Sequence, residues 1–290
     1  MVRDDILTLP DGRALTYTVI GATGGTGASG GPLVCYQHGA PGSRRELLGL
    51  DGAFASAGVR VVTPDRPGYG GSTPVADRTT ASWTDDVAAL ADHLGAERFA
   101  VIGLSSGGPY AVACAALLRD RIVGAVVAAG NTDMSWPAAR DGYLDSELAI
   151  MALDDADDAV ARCIDLYGED GERFFDGEMD LGGTDNAWLA DESNSTALFT
   201  AMDEAFRQGV VGYAHDIWVQ GRAWTFNPST ITCPVIVAHG EDDHLVPVAH
   251  SRHTASLIPA AAMRIIPGVG HLSLVDQFPM LAAEIVRHDR

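Results

Sequence analysis

The chain contains no lysine. Its 19 fixed cations are all arginines, set against 39 carboxylates, and the formal net charge is −20. The basic footprint that nucleic acids and anionic membranes require is missing, so neither is expected as a partner. Cysteine is scarce, with four in 290 residues, and the four have no metal-ligand spacing. Cys35, Cys114 and Cys233 fall in apolar stretches and read as small core hydrophobes; Cys163 has no clear place. Apolar runs stop well short of the ~20 residues that span a bilayer. Met1-Val2-Arg3-Asp4-Asp5 opens no long apolar stretch, so no secretory leader is expected and the cytoplasm is the expected compartment. The acid-rich stretches around Asp154–Asp158 and 165–178 lack the glycine and distal Glu of a calcium loop. No metal and no cofactor are expected.

What is present fits one large α/β domain. At 47% hydrophobic residues, a chain of this length can bury a sizeable core. Residues 6–9 and 14–20 flank Pro10-Asp11-Gly12-Arg13, a hairpin signal. Strand-like runs recur at 33–37, 59–62, 98–102, 122–129, 234–238 and 263–266. Residues 80–94 read as an amphipathic helix with Trp83, Val87, Leu90 and Leu94 on one face. Residues 21–31 are a glycine-rich loop with no phosphate motif. Between 132 and about 228 the strand pattern lapses for too long to be a simple loop. That stretch is helix-like and carries four of the five tryptophans. It is also acidic: from 141 to 205 about nineteen carboxylates face only Arg162 and Arg173. The plain reading of this charge is a solvated surface.

The most specific signal is Gly103-Leu104-Ser105-Ser106-Gly107. A strand-like run precedes it and a small-residue helical run, 108–118, follows. Strand, sharp turn and helix form the setting of a nucleophile elbow. Glycines flank the serine because the turn has no room for Cβ atoms. The helix start adds partial positive charge where an oxyanion would develop. A serine hydroxyl needs a base to take its proton, and imidazole is one near neutral pH. A carboxylate then fixes the ring's tautomer. Acid and base are expected in that order downstream. The acidic turn His239-Gly240-Glu241-Asp242-Asp243 follows one strand, and Gly268-Val269-Gly270-His271 follows the next. Asp243 is the preferred acid by its spacing from Gly240 and Pro247; Asp242 is the main rival and Asp133 a weaker one. His271 is the candidate base. The loop His38-Gly39-Ala40-Pro41, after another strand, is the candidate source of an oxyanion amide, with the N–H of Ser106 as the second. His38 itself reads as a structural tether.

With these pieces in view, the chain resembles the serine α/β-hydrolase-fold family. His38-Gly39, the run from Pro64 to Ser72, the elbow at Ser105, the Asp243 turn and Gly270-His271 carry the resemblance, over roughly 5–131 and 229–290. It implies a mostly parallel central sheet with helices on both faces and a helical cap insertion. The core domain would be 1–131 with 229–290, and the cap 132–228. It implies a triad of Ser105, Asp243 and His271 and oxyanion amides at Ala40 and Ser106. The elbow carries Ser where haloalkane dehalogenases and soluble epoxide hydrolases carry Asp. Ser106 stands where prolyl iminopeptidases usually have Trp. Ala40-Pro41 replaces the longer glycine run of hormone-sensitive-type lipases. The expected activity is metal-independent hydrolysis of a small carboxylic ester or lactone. Carbon–carbon bond or amide hydrolysis, or a ligand receptor on the same scaffold, are the alternatives. The expected partner is a small-molecule ester or lactone, and a homodimer is compatible with the sequence.

Overall fold

A computed structural model describes residues 3–22, 31–176, 180–259 and 261–289. The glycine-rich loop lies mostly outside the described residues. Eight strands form one sheet: β1 (Arg3–Thr8), β2 (Ala14–Gly21), β3 (Leu33–Gln37), β4 (Arg60–Pro64), β5 (Phe99–Leu104), β6 (Ile122–Ala128), β8 (Val235–Gly240) and β9 (Ala261–Ile266). Their order is β1-β2-β4-β3-β5-β6-β8-β9. β1 and β2 pair antiparallel as the hairpin, β2 joins β4 antiparallel, and all further pairings are parallel. β3, β4, β5, β6 and β8 are buried at every position. Parallel strands covered on both faces need continuous apolar runs, and that is how these segments read.

Successive side chains of a strand point to opposite faces, and the two cores follow that alternation. Cys35, Val62, Val101, Val127 and Val237 face a layer built from α2 (Trp83–His93), α3 (Gly108–Leu117) and α9 (Val248–Leu257). Tyr36, Val61, Ile102, Val126 and Ile236 face α1 (Asp51–Ser56) and α10 (Phe278–Ile285). Trp83, Val87 and Leu90 of α2 are buried, as the helical period requires. Cys35, Cys114 and Cys163 are buried free thiols. Cys233, expected in the core, is half-buried beside it.

The long segment between β6 and β8 holds α4 (Asp145–Met151), α5 (Ala156–Tyr167), α6 (Gly182–Leu189), α7 (Glu192–Ala205) and α8 (Val211–Gln220). It is not wholly helical: β7 (Arg207–Val210) precedes α8 and stands outside the eight-stranded sheet. The segment has its own apolar cluster, with Ile150, Ala159, Cys163, Tyr213 and Ile217 packed around Tyr69 and Val246 of the sheet's loops.

An ion pair ties the segment to the loop after β4. Arg66 and Asp216 are both fully buried and pair at 2.5 Å. Arg78, Tyr69 and Tyr110 also point polar groups at the Asp216 carboxylate. Burial alone would raise the Asp216 pKa, but the two guanidiniums outweigh it and hold the group down at about 2.

Candidate active site

β5 ends at Leu104, and Ser105 follows with φ +53°, a left-handed backbone that non-glycine residues seldom adopt. The surrounding glycines are sterically required. A Cβ at Gly103 would strike the Gly107 carbonyl, and one at Gly107 would strike that of Gln37. At Gly108 it would meet the Gly130 backbone at 2.7 Å. Ser105, Ser106 and Gly107 form a single 3-10 turn that runs directly into α3. The turn is tied to the loop after β6, because Asn131 N–H donates to the Ser105 carbonyl at 3.2 Å. The serine is half-buried.

The three acids separate clearly. Asp243 Oδ2 accepts from His271 Nδ1 at 2.8 Å, and Asp243 Oδ1 accepts from the Leu245 and Val246 amides at 2.8 and 2.9 Å. Asp242 instead accepts from Thr184 Oγ1. Asp133 is taken up by the amides of Ser135 and Trp224. The Nδ1 contact assigns His271 Nδ1 as donor and leaves Nε2 free to accept a proton. Burial of His271 opposes its charged form, but the Asp243 charge and hydrogen bond outweigh this and the pKa is raised. Burial pushes Asp243 upward, yet His271 and the loop amides bring it below the usual range.

Gly39, in the loop after β3, stands against the elbow: a Cβ built on it would lie 3.8 Å from the Ser105 Cβ. Ala40 follows, half-buried, and Ser106 is buried. His38 holds this loop with both ring nitrogens. Nδ1 bonds to the Gly39 carbonyl at 2.7 Å, and Arg66 N–H donates to Nε2 at 3.1 Å. Burial and the nearby Arg66 charge keep the His38 ring neutral, with its pKa well below the ordinary value.

Ser105, Asp243 and His271 thus follow the carboxyl ends of β5, β8 and β9 along one edge of the sheet, where open α/β sheets carry their ligands. A cavity of about 760 Å³ lies at the opposite edge, beside Leu33 and Arg60 at the starts of β3 and β4. Residues 32–278 match the alpha/beta hydrolase fold family.

The chain belongs to that family. Among curated relatives, it is 29% identical over 250 residues to the Caulobacter sp. (strain K31) protein named "Putative carbamate hydrolase RutD", covering 81% of this chain and 87% of that one. It is 28% identical over 267 residues to the bifunctional esterase/perhydrolase DCH of Acinetobacter calcoaceticus, covering 89% and 90%. Among solved structures, the enol-lactonase of Burkholderia xenovorans LB400 superposes with a TM-score of 0.70 at 20% identity, covering 98% of this chain and 99% of that one. That last likeness is one of fold.

Within this alpha/beta hydrolase, three polar groups beside the site escape a reading of the sequence. Glu46 accepts from Tyr36 Oη at 2.5 Å and from the Gly39 amide at 3.1 Å, so it braces the loop ahead of Ala40. Burial raises its pKa. Asn131 Nδ2 lies 3.4 Å from Ser106 Oγ, 2.8 Å from Tyr143 Oη and 2.7 Å from Gln220 Oε1. Glu147 accepts from Tyr143 and Tyr213 hydroxyls, and burial pushes its pKa up to about 7. None of the three belongs to a recognisable motif. Their hydrogen-bond partners include residues on other elements, which spacing along the chain does not reveal.

Proposed function

We propose that this hydrolase cleaves small, uncharged carboxylic esters or lactones through an acyl-enzyme on Ser105. The observation that carries the proposal is the 2.8 Å contact between Asp243 Oδ2 and His271 Nδ1; a serine on a left-handed turn follows β5 at the same edge of the sheet. Ser105 Oγ attacks the carbonyl carbon and its proton passes to His271 Nε2. The oxyanion takes hydrogen bonds from the Ala40 and Ser106 amides. The C–O bond to the alcohol breaks, and the leaving oxygen receives the proton from His271. Water then gives a proton to His271 and attacks the acyl carbon. Collapse of the second tetrahedral species returns that proton to Ser105 and frees the acid. Asp243 keeps the ring oriented throughout.

The segment 132–228 acts as the cap that excludes water and shapes the acyl pocket. The preference for uncharged substrates rests on the arginines. All three guanidinium nitrogens of Arg66 are engaged, by Asp216 and by the carbonyls of His38 and Gly39. Arg222 gives its donors to the carbonyls of Met151 and Leu153, and Arg207 is an exposed partner of Glu204. The ester and lactone classes are in keeping with the names of the Acinetobacter relative and the Burkholderia structure. The experiment is a panel of p-nitrophenyl esters of graded length, lactones and an aryl carbamate, run on the parent and on Ser105→Ala. Ser105→Ala should lose on the order of 10⁶ in turnover while remaining folded. A fluorophosphonate should label Ser105 in the parent. Near-parental turnover in a folded Ser105→Ala, or labelling at Ser72 or Ser106, overturns the proposal.

A further inference from the structure

Asp185, on α6, is a fully buried carboxylate in a segment whose carboxylates are mostly exposed. Its Oδ2 accepts from the amides of His271 at 2.7 Å and Leu272 at 3.0 Å. Its Oδ1 accepts from the Ser273 amide at 3.0 Å and the Ser273 hydroxyl at 2.8 Å. All four partners are donors on the loop that carries the candidate base. The fit is close, since a Cβ on Gly270 would overlap the Asp185 carboxylate. Ser273 Oγ in turn accepts from the Gly270 amide at 2.8 Å. Thr184, one residue earlier on α6, donates to Asp242 at 2.7 Å and so fastens the neighbouring acid turn. One turn of one helix therefore holds both loops of the Asp243–His271 pair.

No arginine pairs with Asp185 among the described residues. A carboxylate without a cation is a costly way to tie two surfaces together, because its desolvation is met by hydrogen bonds alone. A neutral side chain would serve simple adhesion. We infer that Asp185 is a positioning residue for the proposed reaction: it sets the place of His271 through three consecutive backbone amides, and its fixed charge favours the imidazolium formed as Ser105 is deprotonated. The groups facing His271 are Asp243, Asp185 and Glu46, with Glu147 and His239 further contributors to the local field. Among the described residues only Asp243 touches the ring with a side-chain hydrogen bond. Asp185 acts through the backbone, so it contacts no reacting atom. The base is then in register only while α6 is docked, which makes the segment between β6 and β8 part of the catalytic apparatus as well as a cover.

This inference rests on the reading of Ser105, Asp243 and His271 as the triad, and the test separates the two. Asp185→Asn is assayed with p-nitrophenyl acetate across pH, with Ser105 labelling by a fluorophosphonate as a second rate. The amide offers one acceptor oxygen in place of two and carries no charge. kcat should fall on the order of 10²-fold, as expected for a displaced base, with KM within about threefold. Labelling should slow in parallel. The acid limb of kcat/KM should move to lower pH, since one anion favouring imidazolium has gone. A merely structural tie would lower Tm and leave the limb in place. Retention of kcat within about threefold with an unmoved acid limb overturns the inference. If Asp185→Asn does not fold, Ser273→Ala removes one of the four donors and leaves the charge. It loses the hydroxyl's bond to Asp185 and the Gly270 amide's bond to that hydroxyl, so kcat should fall at least about fivefold, with the limb unmoved, and an unchanged kcat overturns the inference. Ser105→Ala is run alongside. If that variant still turns over, the proposed function has failed. If it is inactive while Asp185→Asn behaves as the parent, only the role of Asp185 has failed.

Discussion

Asp242 and Asp243 are adjacent in sequence but keep different company, and that difference is testable. Asp243 Oδ2 meets the imidazole and its Oδ1 meets two turn amides, whereas Asp242 reaches out to Thr184. Asp243→Asn should cost about 10⁴ in kcat, because the amide holds the wrong tautomer of His271. Asp242→Asn should stay within about tenfold. Steady-state rates of the two purified variants on one ester decide it, and a larger loss in Asp242→Asn contradicts the geometry. Activity of the parent should fall away on its acid side at a pH above the ordinary imidazole value near 6.5, since the His271 pKa is raised and only the neutral ring is a base. At this scale the sequence was informative wherever chemistry sits in a local pattern. The elbow glycines are spaced by sterics, and the spacing of Asp243 from Gly240 and Pro247 already favoured it over its neighbour. Glu46, Asn131 and Asp185 carry no such pattern. Asp185 meets its partners 86 to 88 residues away, and side-chain contacts at that separation leave no trace in spacing.

Elements were legible in proportion to their burial. β3, β5, β6 and β8 are nearly continuous apolar runs, with Gln37 and His239 the polar side chains near their ends, because both faces are covered, and each was readable from composition and length. β7 was not: four residues, Arg-Gln-Gly-Val, with two of them exposed, give no strand signal. Nor does the pattern of α8 reveal that Asp216 will enter the core and meet Arg66, 150 residues earlier. α4 offers a test of how buried carboxylates weigh on this segment. Glu147 has a folded pKa of about 7, above its ordinary value of 4.5, because burial disfavours the charge. A carboxyl with a raised folded pKa releases its proton more readily when unfolded. Its contribution is therefore neutral below about pH 4 and turns unfavourable as pH rises from there through 7. Glu147→Gln should leave Tm nearly unchanged at pH 5 and raise it by roughly 2–6 °C at pH 8, on the order of 1–3 kcal/mol. Thermal melts at the two pH values check this. An equal or lower Tm for the variant at pH 8 would mean that the Tyr143 and Tyr213 hydroxyls stabilise the carboxylate more than burial opposes it.

For the whole molecule the dominant fact is a net charge of −20 with arginine as its only fixed cation. Most carboxylates between 141 and 205 are exposed, as a solvated surface requires, but Glu147 and Asp185 are buried and stand beside the proposed triad. The buried arginines are largely drawn onto carboxylates: Arg66 and one terminal nitrogen of Arg78 meet Asp216, and Arg44 meets Asp65 and Glu204. A cleft whose surroundings are negative depletes anions at its mouth. Neutral esters should therefore outperform carboxylate-bearing esters of matched size at low ionic strength. The effect belongs to kcat/KM, since it acts on encounter. It should shrink as salt shortens the screening length toward ~8 Å, so the ratio of the two kcat/KM values should fall steadily between about 10 and 150 mM NaCl. Mutual repulsion among the exposed carboxylates is relieved by the same ions, and Tm should rise over that range. The comparison needs one neutral ester, such as p-nitrophenyl butyrate, and its hemisuccinate counterpart, measured across the salt series. A preference for the hemisuccinate at low salt would require a guanidinium free to meet it. Arg78 is the residue to examine then, because its Nε and one terminal nitrogen are buried without a hydrogen-bond partner.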